Sequence, residues 1–485
     1  MTLTRKLLFL SLTLFPYSFL LAQEFESTNK PNVIFITVDD LNDWIEPLGG
    51  HPQVKTPNFN ELARRGMTFT NAHSSAVVCG PSRASFLSGL SPTFTGFYVN
   101  GPDWREIQKI NTVKSLPHFF KDAGYKTTGA GKFFHTSQND IKAWDIWYPR
   151  IGIDRPNEIV PGGMGGLPKN KNPYHDSFDW YPLVAEDSAT GDGQIANWIT
   201  SQIKSNQGEE QFIGFGFRRP HAPFYVPEKY FDLYPIEAIT MPQTIKNDLD
   251  DVPKMALKVN GIDTPSFGSA TNRLAHEWVI ENNQWSQITQ AYLASVSFID
   301  ALLGTIIEAV DNNPKMKNTI IIVIGDHGFH IGEKLSYQKK TLWRESTRVP
   351  MIIVAPGVTT PGSISSIPVS LLDIYPTLVE LSGLDTPNHL DGESIVPILA
   401  NPEIDWDRFA VSNHGYMNFS VTSQSYQYIR YSDNSEELYN ITNDPNEFKN
   451  LASLDEFGNI KLQLKEQLPK YSEPDVRGIS TPWRE

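Results

Sequence analysis

The chain has 485 residues, enough for one large domain with an appendage, or for two to four domains at about 100–200 residues each. Its composition is 40% hydrophobic and 20% charged, with glycine and proline spread along it, which excludes a disordered, collagenous or repeat protein. With 41 Lys+Arg against 55 Asp+Glu the formal net charge is −14. A protein that neutralises nucleic-acid phosphates carries the opposite balance, so no nucleic-acid partner is expected, and an anionic substrate would need a locally basic pocket or a metal.

Residues 1–22 read as a secretory signal peptide. Arg5 and Lys6 supply the charged start, residues 7–21 the apolar stretch, and Leu20-Leu21-Ala22 a cleavage site before Gln23. About 15 apolar residues broken by Pro16 are short for a membrane span, and no later segment is expected to span. Export to the periplasm or beyond is the expectation. An exported chain with a single cysteine has no internal disulfide, which leaves Cys79 as a core thiol, an intermolecular link or a chemical group.

In chain order, the continuous apolar run 33–38 (VIFITV) predicts a buried strand, and 59–65 a helix after Thr56-Pro57. Residues 115–123 predict a helix stopped by Gly124, followed by a strand over 125–129. Residues 144–189, rich in Pro, Gly, Asn and Asp, read as a long surface excursion of the kind that is often functional. A strand follows at 212–217 (FIGFGF). The longest helix is expected over 286–310, with Ile288, Tyr292, Val296, Ile299 and Leu303 on one face. Runs at 319–324 (TIIIVI) and 351–354 (MIIV) complete a set of strands that, being continuous rather than alternating, read as parallel. Strands alternating with helices predict an α/β fold: a large, mainly parallel central sheet flanked by helices. From about residue 396 shorter segments at 426–431 and 437–441, then a helix over 460–468, predict a smaller C-terminal α+β subdomain. The expected organisation is a signal peptide over 1–22, a catalytic domain over 23–395 and the subdomain over 396–485.

The informative residues follow the strands. The first runs into Asp39-Asp40, the 125–129 strand into Gly131-Lys132-Phe133-Phe134-His135, the 212–217 strand into Arg218-Arg219-Pro220-His221, and the 319–324 strand into Gly325-Asp326-His327-Gly328. Ligands of open α/β sheets sit outside the carboxyl ends of the strands. A lone aspartate there is commonly a cap or turn residue. Four strand ends aiming carboxylates, imidazoles and a lysine at one edge suit a hard metal and an anion instead. Adjacent Asp39 and Asp40 at a buried strand end repel each other unless a cation holds them. With Asp326 they favour Ca²⁺ or Mg²⁺ over Zn²⁺, and His327 fits either as a ligand or as a residue that orients one.

Cys79 stands in Cys79-Gly80-Pro81-Ser82-Arg83 with Leu87-Ser88-Gly89 after it. Pro81 suits a first helical position and Gly89 a helix stop, which puts Cys79 at a helix N-terminus, where free N–H groups favour developing negative charge. With Pro at about 5% of residues, Pro-Ser-Arg follows a given Cys by chance on the order of once in several thousand. An inert thiol does not explain that spacing.

Cys-x-Pro-Ser-Arg followed by Leu-Ser-Gly resembles the signature of the type I sulfatases of the alkaline phosphatase superfamily. The likeness runs from Pro31-Asn32-Val33 through Gly131-Lys132 and Asp326-His327-Gly328 to Leu390-Asp391-Gly392-Glu393-Ser394, and on to Glu437-Leu438-Tyr439 and Asp444-Pro445. Gly-Lys-Phe-Phe-His and Pro220-His221-Ala222-Pro223-Phe224 look most like the iduronate-2-sulfatase branch. The resemblance implies that a formylglycine-generating maturation enzyme oxidises Cys79, and that the hydrated aldehyde is the nucleophile. It implies one Ca²⁺ held by Asp39, Asp40, Asp326, His327 and residue 79. Arg83 and His135 would hold and activate the gem-diol, Lys132 and Lys339 would bind the sulfate oxygens, and His221 would protonate the leaving alcohol. Lys339 is preferred over Lys340 because it stands four residues before Trp343. Arg344 departs from the family, which often has an acidic residue there.

The implied chemistry agrees with the residues. A sulfate monoester needs a polarising cation, fixed positive groups, an in-line nucleophile and a proton donor opposite. A gem-diol adds a second hydroxyl whose collapse to the aldehyde expels sulfate. Export and the branch likeness imply a secreted sulfatase acting on a sulfated polysaccharide or its oligosaccharides, either ulvan-type or other uronate- and rhamnose-containing glycans, or glycosaminoglycans. Trp104, Trp144 and Trp147 are either sugar-stacking or packing residues, Arg105 or Arg219 could pair with a uronate carboxylate as a bidentate fork, and His330 and His414 read as structural or rim residues. The competing readings are a phosphate or phosphonate ester hydrolase, a choline-type small-molecule sulfatase and, disfavoured, a non-enzymatic binder of sulfated glycans.

Overall fold

Strand β1 (Asn32–Val38) sits in the middle of the central sheet and is buried at every position, so its alternate side chains feed two separate cores. The computed structural model describes residues 30–135, 138–148, 178–262 and 273–477, apart from the side chains of 273–275. The signal peptide expected over 1–22 and most of the 144–189 excursion lie outside the described residues. The remaining strands are β2 (Met67–His73), β3 (Lys126–Gly131), β4 (Ile146–Tyr148), β5 (Trp180–Leu183), β6 (Gln211–Phe217), β7 (Phe224–Pro227), β8 (Thr319–Gly325), β9 (Arg348–Val354), β10 (Ser363–Ser365) and β11 (Val369–Ser370). A C-terminal group follows: β12 (Ala410–Asn413), β13 (Phe419–Thr422), β14 (Tyr426–Arg430) and β15 (Glu436–Asn440).

The central sheet runs β10-β2-β9-β8-β1-β6-β3-β4, with β11 extending β2's pairing and a short parallel pair β5-β7 beside it. All its pairs are parallel except those made by β9. The 351–354 run is therefore a strand, as expected, but antiparallel. Its reading as parallel fails because a strand enclosed between two neighbours and covered on both faces is uniformly apolar whichever way it runs. β2 goes unannounced because Thr68, Thr70 and Asn71 interrupt its apolar pattern; in the fold Thr70 and Asn71 donate to the Ser365 and Ser366 carbonyls.

Ile34, Ile36 and Val38 face a core with the helices Gly191–Ser205 and Trp285–Asp311. Val33 and Phe35 face the other core, with the helices Cys79–Ser88, Leu116–Asp122 and Ile374–Leu381. Among the described residues only Trp285–Asp311 is long and apolar enough to cross a membrane, and 78% of its apolar window is buried inside the protein. The C-terminal strands form an antiparallel sheet, β12-β13-β14-β15, covered by the helix Gly458–Glu466. Its other face contributes Ile429, Tyr431 and Tyr439 to a cluster with Leu342 and Trp343, which ties it to the loop after β8.

The register sets up the site. Val38 lies opposite both Phe217 and Gly325, and Gly131 lies opposite Gly216. Four strands thus end level, and the residues that follow them emerge at one edge.

Candidate active site

At that edge Asp39 and Asp40 leave β1, Lys132 leaves β3, His221 follows β6, and Asp326 and His327 leave β8. Asp40 adopts a left-handed backbone (φ 60°), which turns the chain immediately after the strand; Tyr292 fixes this turn by donating to the Asp40 carbonyl at 2.7 Å and accepting from Asn42 N at 3.0 Å. Cys79 opens the helix Cys79–Ser88, which Gly89 ends with a left-handed cap. Pro81 occupies the third helical position and not the first. The position is equally tolerant, because N–H groups throughout the first turn have no intrahelical partner to lose.

The expected residues come together around Cys79, which is 1% exposed. Lys339 Nζ lies 3.1 Å from its Sγ and 2.7 Å from Asp40 Oδ1, and His327 Nε2 lies 3.2 Å from the same sulfur. One donor atom each from Asp39, Asp40, Cys79 and His327 falls within 4.8 Å of the others, the geometry of a metal-ion cradle. Asp326 borders this set, with its Oδ2 3.7 Å from His327 Nε2. Its Oδ1 accepts from the backbone of Asp40 and His327 at 3.1 Å each, and Oδ2 from Arg83 Nε at 2.8 Å. Arg83, itself 1% exposed, also donates to Thr37 Oγ1 at 3.0 Å, to the Lys132 carbonyl and to Asp39 at 3.3 Å. Lys132 pairs with the other oxygen of Asp39.

His221 Nδ1 lies 2.6 Å from the Ala222 carbonyl, which only accepts; Nδ1 therefore carries a proton, and Nε2 faces Asp40 Oδ2 at 3.9 Å. Its side chain is 24% exposed, more open than Cys79, as a group meeting an incoming substrate requires. His135 Nδ1 is buried without a hydrogen-bond partner among the described residues.

The electrostatics reflect this crowding. Burial works to raise Asp39, but Lys132, His221 and Arg83 outweigh it and hold the carboxyl well below its usual range. Asp40 is pushed up: burial, with Asp39 and Asp326 adding to it, overcomes Lys339. Three crowded carboxylates, one imidazole and the residue-79 atom are a donor set that would fit a hard divalent ion. Burial opposes ionisation of Cys79, yet Lys132 and Lys339 prevail and lower it. His135 is pushed down to about 3 by burial and Lys132, which keeps it neutral. His327 is driven up to about 9, Asp326 and Cys79 overriding burial.

Several expected neighbours serve other purposes. Trp104 stacks on Phe134 and donates to the Gln138 carbonyl, and Trp144 packs in the aromatic core and donates to Asn139, so both are wall residues. Arg219 is buried and braces the His221 loop through the Tyr225 and His221 carbonyls, while Arg105 is held by Asp103 and the Asn139 carbonyl. His330 and His414 are buried structural residues, bonded to Thr341 and the Val259 carbonyl. Two contributors escape the sequence reading. Asn100 accepts from Gly80 N at 2.8 Å and pins the start of the Cys79 helix, and Ser82 ties that helix to the Asp326 carbonyl. Asn100-Gly101 looks like any turn, whereas Ser82 lies inside the signature itself.

A sulfur on a helix N-terminus, a cradle of carboxylates and surrounding fixed cations are the groups that hydrolysis of an anionic ester calls for. Comparison with known proteins gives the family. The sequence profile of the Sulfatase family matches residues 31–384, and that of the N-sulphoglucosamine sulphohydrolase C-terminal region matches 332–474. The chain belongs to the sulfatase family and is a sulfuric ester hydrolase. It is 38% identical over 453 residues to a sulfatase of Formosa agariphila, covering 92% of this chain and 87% of that one. An ulvan-active sulfatase of the same bacterium is 25% identical over 92% of this chain and 81% of its own. Human iduronate 2-sulfatase is 29% identical over 79% and 75%. Among solved structures, the phosphonate monoester hydrolase of Agrobacterium radiobacter shares the fold, with TM-score 0.74 at 22% identity over 90% of this chain and 95% of that one.

Proposed function

We propose that the chain is an exported, Ca²⁺-dependent sulfatase that removes sulfate from a sulfated polysaccharide or its oligosaccharides, with residue 79 oxidised to formylglycine by a maturation enzyme. The observation that carries this reading is the contact of Cys79 Sγ with both Lys339 and His327, inside a cradle of carboxylates. That sulfur stands where an oxygen of the hydrated aldehyde would stand. Relatives named for ulvan and iduronate support a polysaccharide substrate, of ulvan type or a glycosaminoglycan. Residues 1–22 support export.

Asp39, Asp40, His327, residue 79 and, from the border of the cradle, Asp326 would hold Ca²⁺, which when bound supplies positive charge to a sulfate oxygen and to the nucleophile. The hydrated residue 79 supplies one hydroxyl for attack and a second whose deprotonation drives release of sulfate. Arg83 keeps Asp39 and Asp326 in register with residue 79. Lys132 and Lys339 present fixed ammonium groups to the spread charge of the sulfuryl group, and cost no reorganisation because their carboxylate partners already hold them. His135, neutral and with a ring nitrogen unpartnered, accepts a proton from residue 79. Burial and the Lys339 charge hold His221 neutral, with its proton on Nδ1; a bound sulfate would offset the lysine charge, so that Nε2 takes up the proton given to the leaving alcohol.

The test is sulfate release from ulvan, from glycosaminoglycans and from their lyase-generated oligosaccharides, by protein co-expressed with a formylglycine-generating enzyme. Release from one polymer class is the expected result. No release from any of them, with the aldehyde confirmed by mass at residue 79, would reject the glycan reading. A second reading, phosphate or phosphonate ester hydrolysis, draws on the shared fold with a phosphonate hydrolase. Faster turnover of phosphonate than of sulfate esters would favour it.

A further inference from the structure

Arg344, the residue that departs from the family pattern, takes no part in the site described above. It lines a separate cavity of about 420 Å³, whose wall includes Asp43, Leu48, Glu345, Arg348 and Asn446 and none of the candidate catalytic or metal-binding residues. The volume falls in the range of small-molecule sites, roughly 300–1,000 Å³.

The wall is rigid and chemically mixed. Arg348 is locked by Asp43 Oδ2 at 2.6 Å and by the Thr70 carbonyl at 2.9 Å. Arg344 is anchored through its backbone N–H, which donates to Glu447 Oε2 at 2.8 Å, but its Nε is buried with no hydrogen-bond partner among the described residues. Burial and the adjacent Arg348 press the Arg344 guanidinium down to about 10, against the opposing pull of Glu447, Asp43 and Glu345. That nitrogen is itself shut off from the cavity, so what Arg344 offers a bound anion is the charge of its guanidinium, which a charge-assisted contact would offset. Asp43 and Glu345 add carboxyl groups, and Leu48 an apolar surface. Guanidinium, carboxyl and amide groups around a small apolar face are the complement of a sugar ring that bears an anionic substituent.

We infer that this cavity is a second, non-catalytic binding site that takes one sulfated sugar residue of the polymeric substrate, with the sulfate on Arg344 and the hydroxyls on Asp43, Glu345 and Asn446. The inference rests on the glycan reading. Its consequence is that the enzyme holds a chain at one point while cleaving its sulfate esters at another, so the site serves polymers and leaves small esters unaffected.

Affinity electrophoresis tests it, in gels cast with ulvan, with heparan sulfate and with the desulfated form of each. Arg344→Ala removes the anion's partner, and Asn446→Trp blocks the cavity without touching the guanidinium. Both variants are expected to bind the retarding polymer about tenfold more weakly than the wild type, the loss of one charge-assisted hydrogen bond, with unchanged turnover of 4-nitrocatechol sulfate. Desulfated polymer is expected to bind all three proteins equally weakly. Wild-type retardation by either variant overturns the inference, as does equal weakening toward sulfated and desulfated polymer. Loss of small-ester turnover in both variants also overturns it, because the cavity would then belong to the catalytic machinery. If the wild type releases sulfate from no polymer, it is the glycan reading itself that fails.

Discussion

Lys339 spans Cys79 and Asp40: its ammonium lies 3.1 Å from the sulfur and 2.7 Å from the carboxylate oxygen. One side chain thereby touches both the proposed nucleophile position and the proposed metal cradle. Lys340, adjacent in sequence, is exposed. Lys339→Ala is expected to lower kcat/KM for 4-nitrocatechol sulfate about 10²–10³-fold, the usual loss for one fixed electrostatic donor. Lys340→Ala is expected to stay within about threefold, as for an exposed charge. Equal losses in the two variants would remove Lys339 from its role.

His221→Ala should discriminate between leaving groups. An alcohol with a high pKa needs a proton delivered from His221 Nε2, whereas an activated phenol departs without one. Turnover of a sulfated sugar is expected to fall about 10²–10⁴-fold, with little change on 4-nitrocatechol sulfate. A uniform loss on both would show that His221 only binds the sulfate.

Much of this was legible in the sequence. The strand ends carrying Asp39, His221 and Asp326 converge because the runs before them are continuous, apolar and of matched length, and the shorter, polar β3 brings Lys132 to the same edge through its register with β6. The Cys79–Arg83 motif encodes its own helix start. What could not be read depends on partners distant in sequence. The direction of β9 is set by β2 and β8, and the polar Thr70 and Asn71 fit within β2 because the Ser365 and Ser366 carbonyls accept their hydrogen bonds. Asn100 matters only because the fold brings it to Gly80 N. Trp104 and Trp144 illustrate the same limit, since composition cannot distinguish a ring that stacks on sugar from one that stacks on Phe134.

Metal binding should register in stability as well as in rate. Buried Asp39, Asp40 and His327 crowd one cradle, so a divalent ion that binds only the folded chain raises its Tm in proportion to ln[metal]. Chelated protein is expected to melt several degrees lower and regain its Tm with Ca²⁺, and Asp40→Asn is expected to blunt that response. A melting temperature indifferent to chelator and to Ca²⁺ would mean that the carboxylates are neutralised by Arg83, Lys132 and Lys339 alone.

Glu437 links the C-terminal sheet to the loop that carries Lys339. Its carboxylate accepts from Trp343 Nε1 at 2.9 Å, Tyr431 OH at 2.7 Å and Tyr439 OH. Glu437→Ala orphans these donors at about 1–3 kcal/mol each, so a large fall in Tm is expected, together with reduced turnover as the loop loosens. Glu437→Gln, which keeps one acceptor, should fall between the two. A Tm within 1 °C or so of wild type for the alanine variant would contradict the accounting.

Asp300 supplies a pH signature remote from the chemistry. It caps the helix Pro57–Arg65 by accepting from Asn58 and Phe59 N–H groups, and burial, outweighing those bonds, pushes it up to about 6. The folded protein therefore holds this proton more tightly than the unfolded chain, whose value is about 3.9. Its contribution to stability is complete below about pH 4 and lost as pH rises through about 6. Asp300→Asn cannot ionise, so its Tm relative to wild type is expected to climb between pH 4 and pH 7. A constant offset over that range would refute the shift.

Every residue of the helix Cys79–Ser88 is buried, and Cys79 lies beneath the ends of four strands. No enzyme can thread that segment into its own cleft once the sheet has closed over it. On the proposed maturation, the identity of residue 79 would be decided by timing: oxidation would have to win a race against folding, on a chain still extended, and a molecule that folded first would keep its thiol. Conditions that hasten folding would then lower the active fraction without altering any residue, and two preparations of equal purity and equal stability could differ in specific activity.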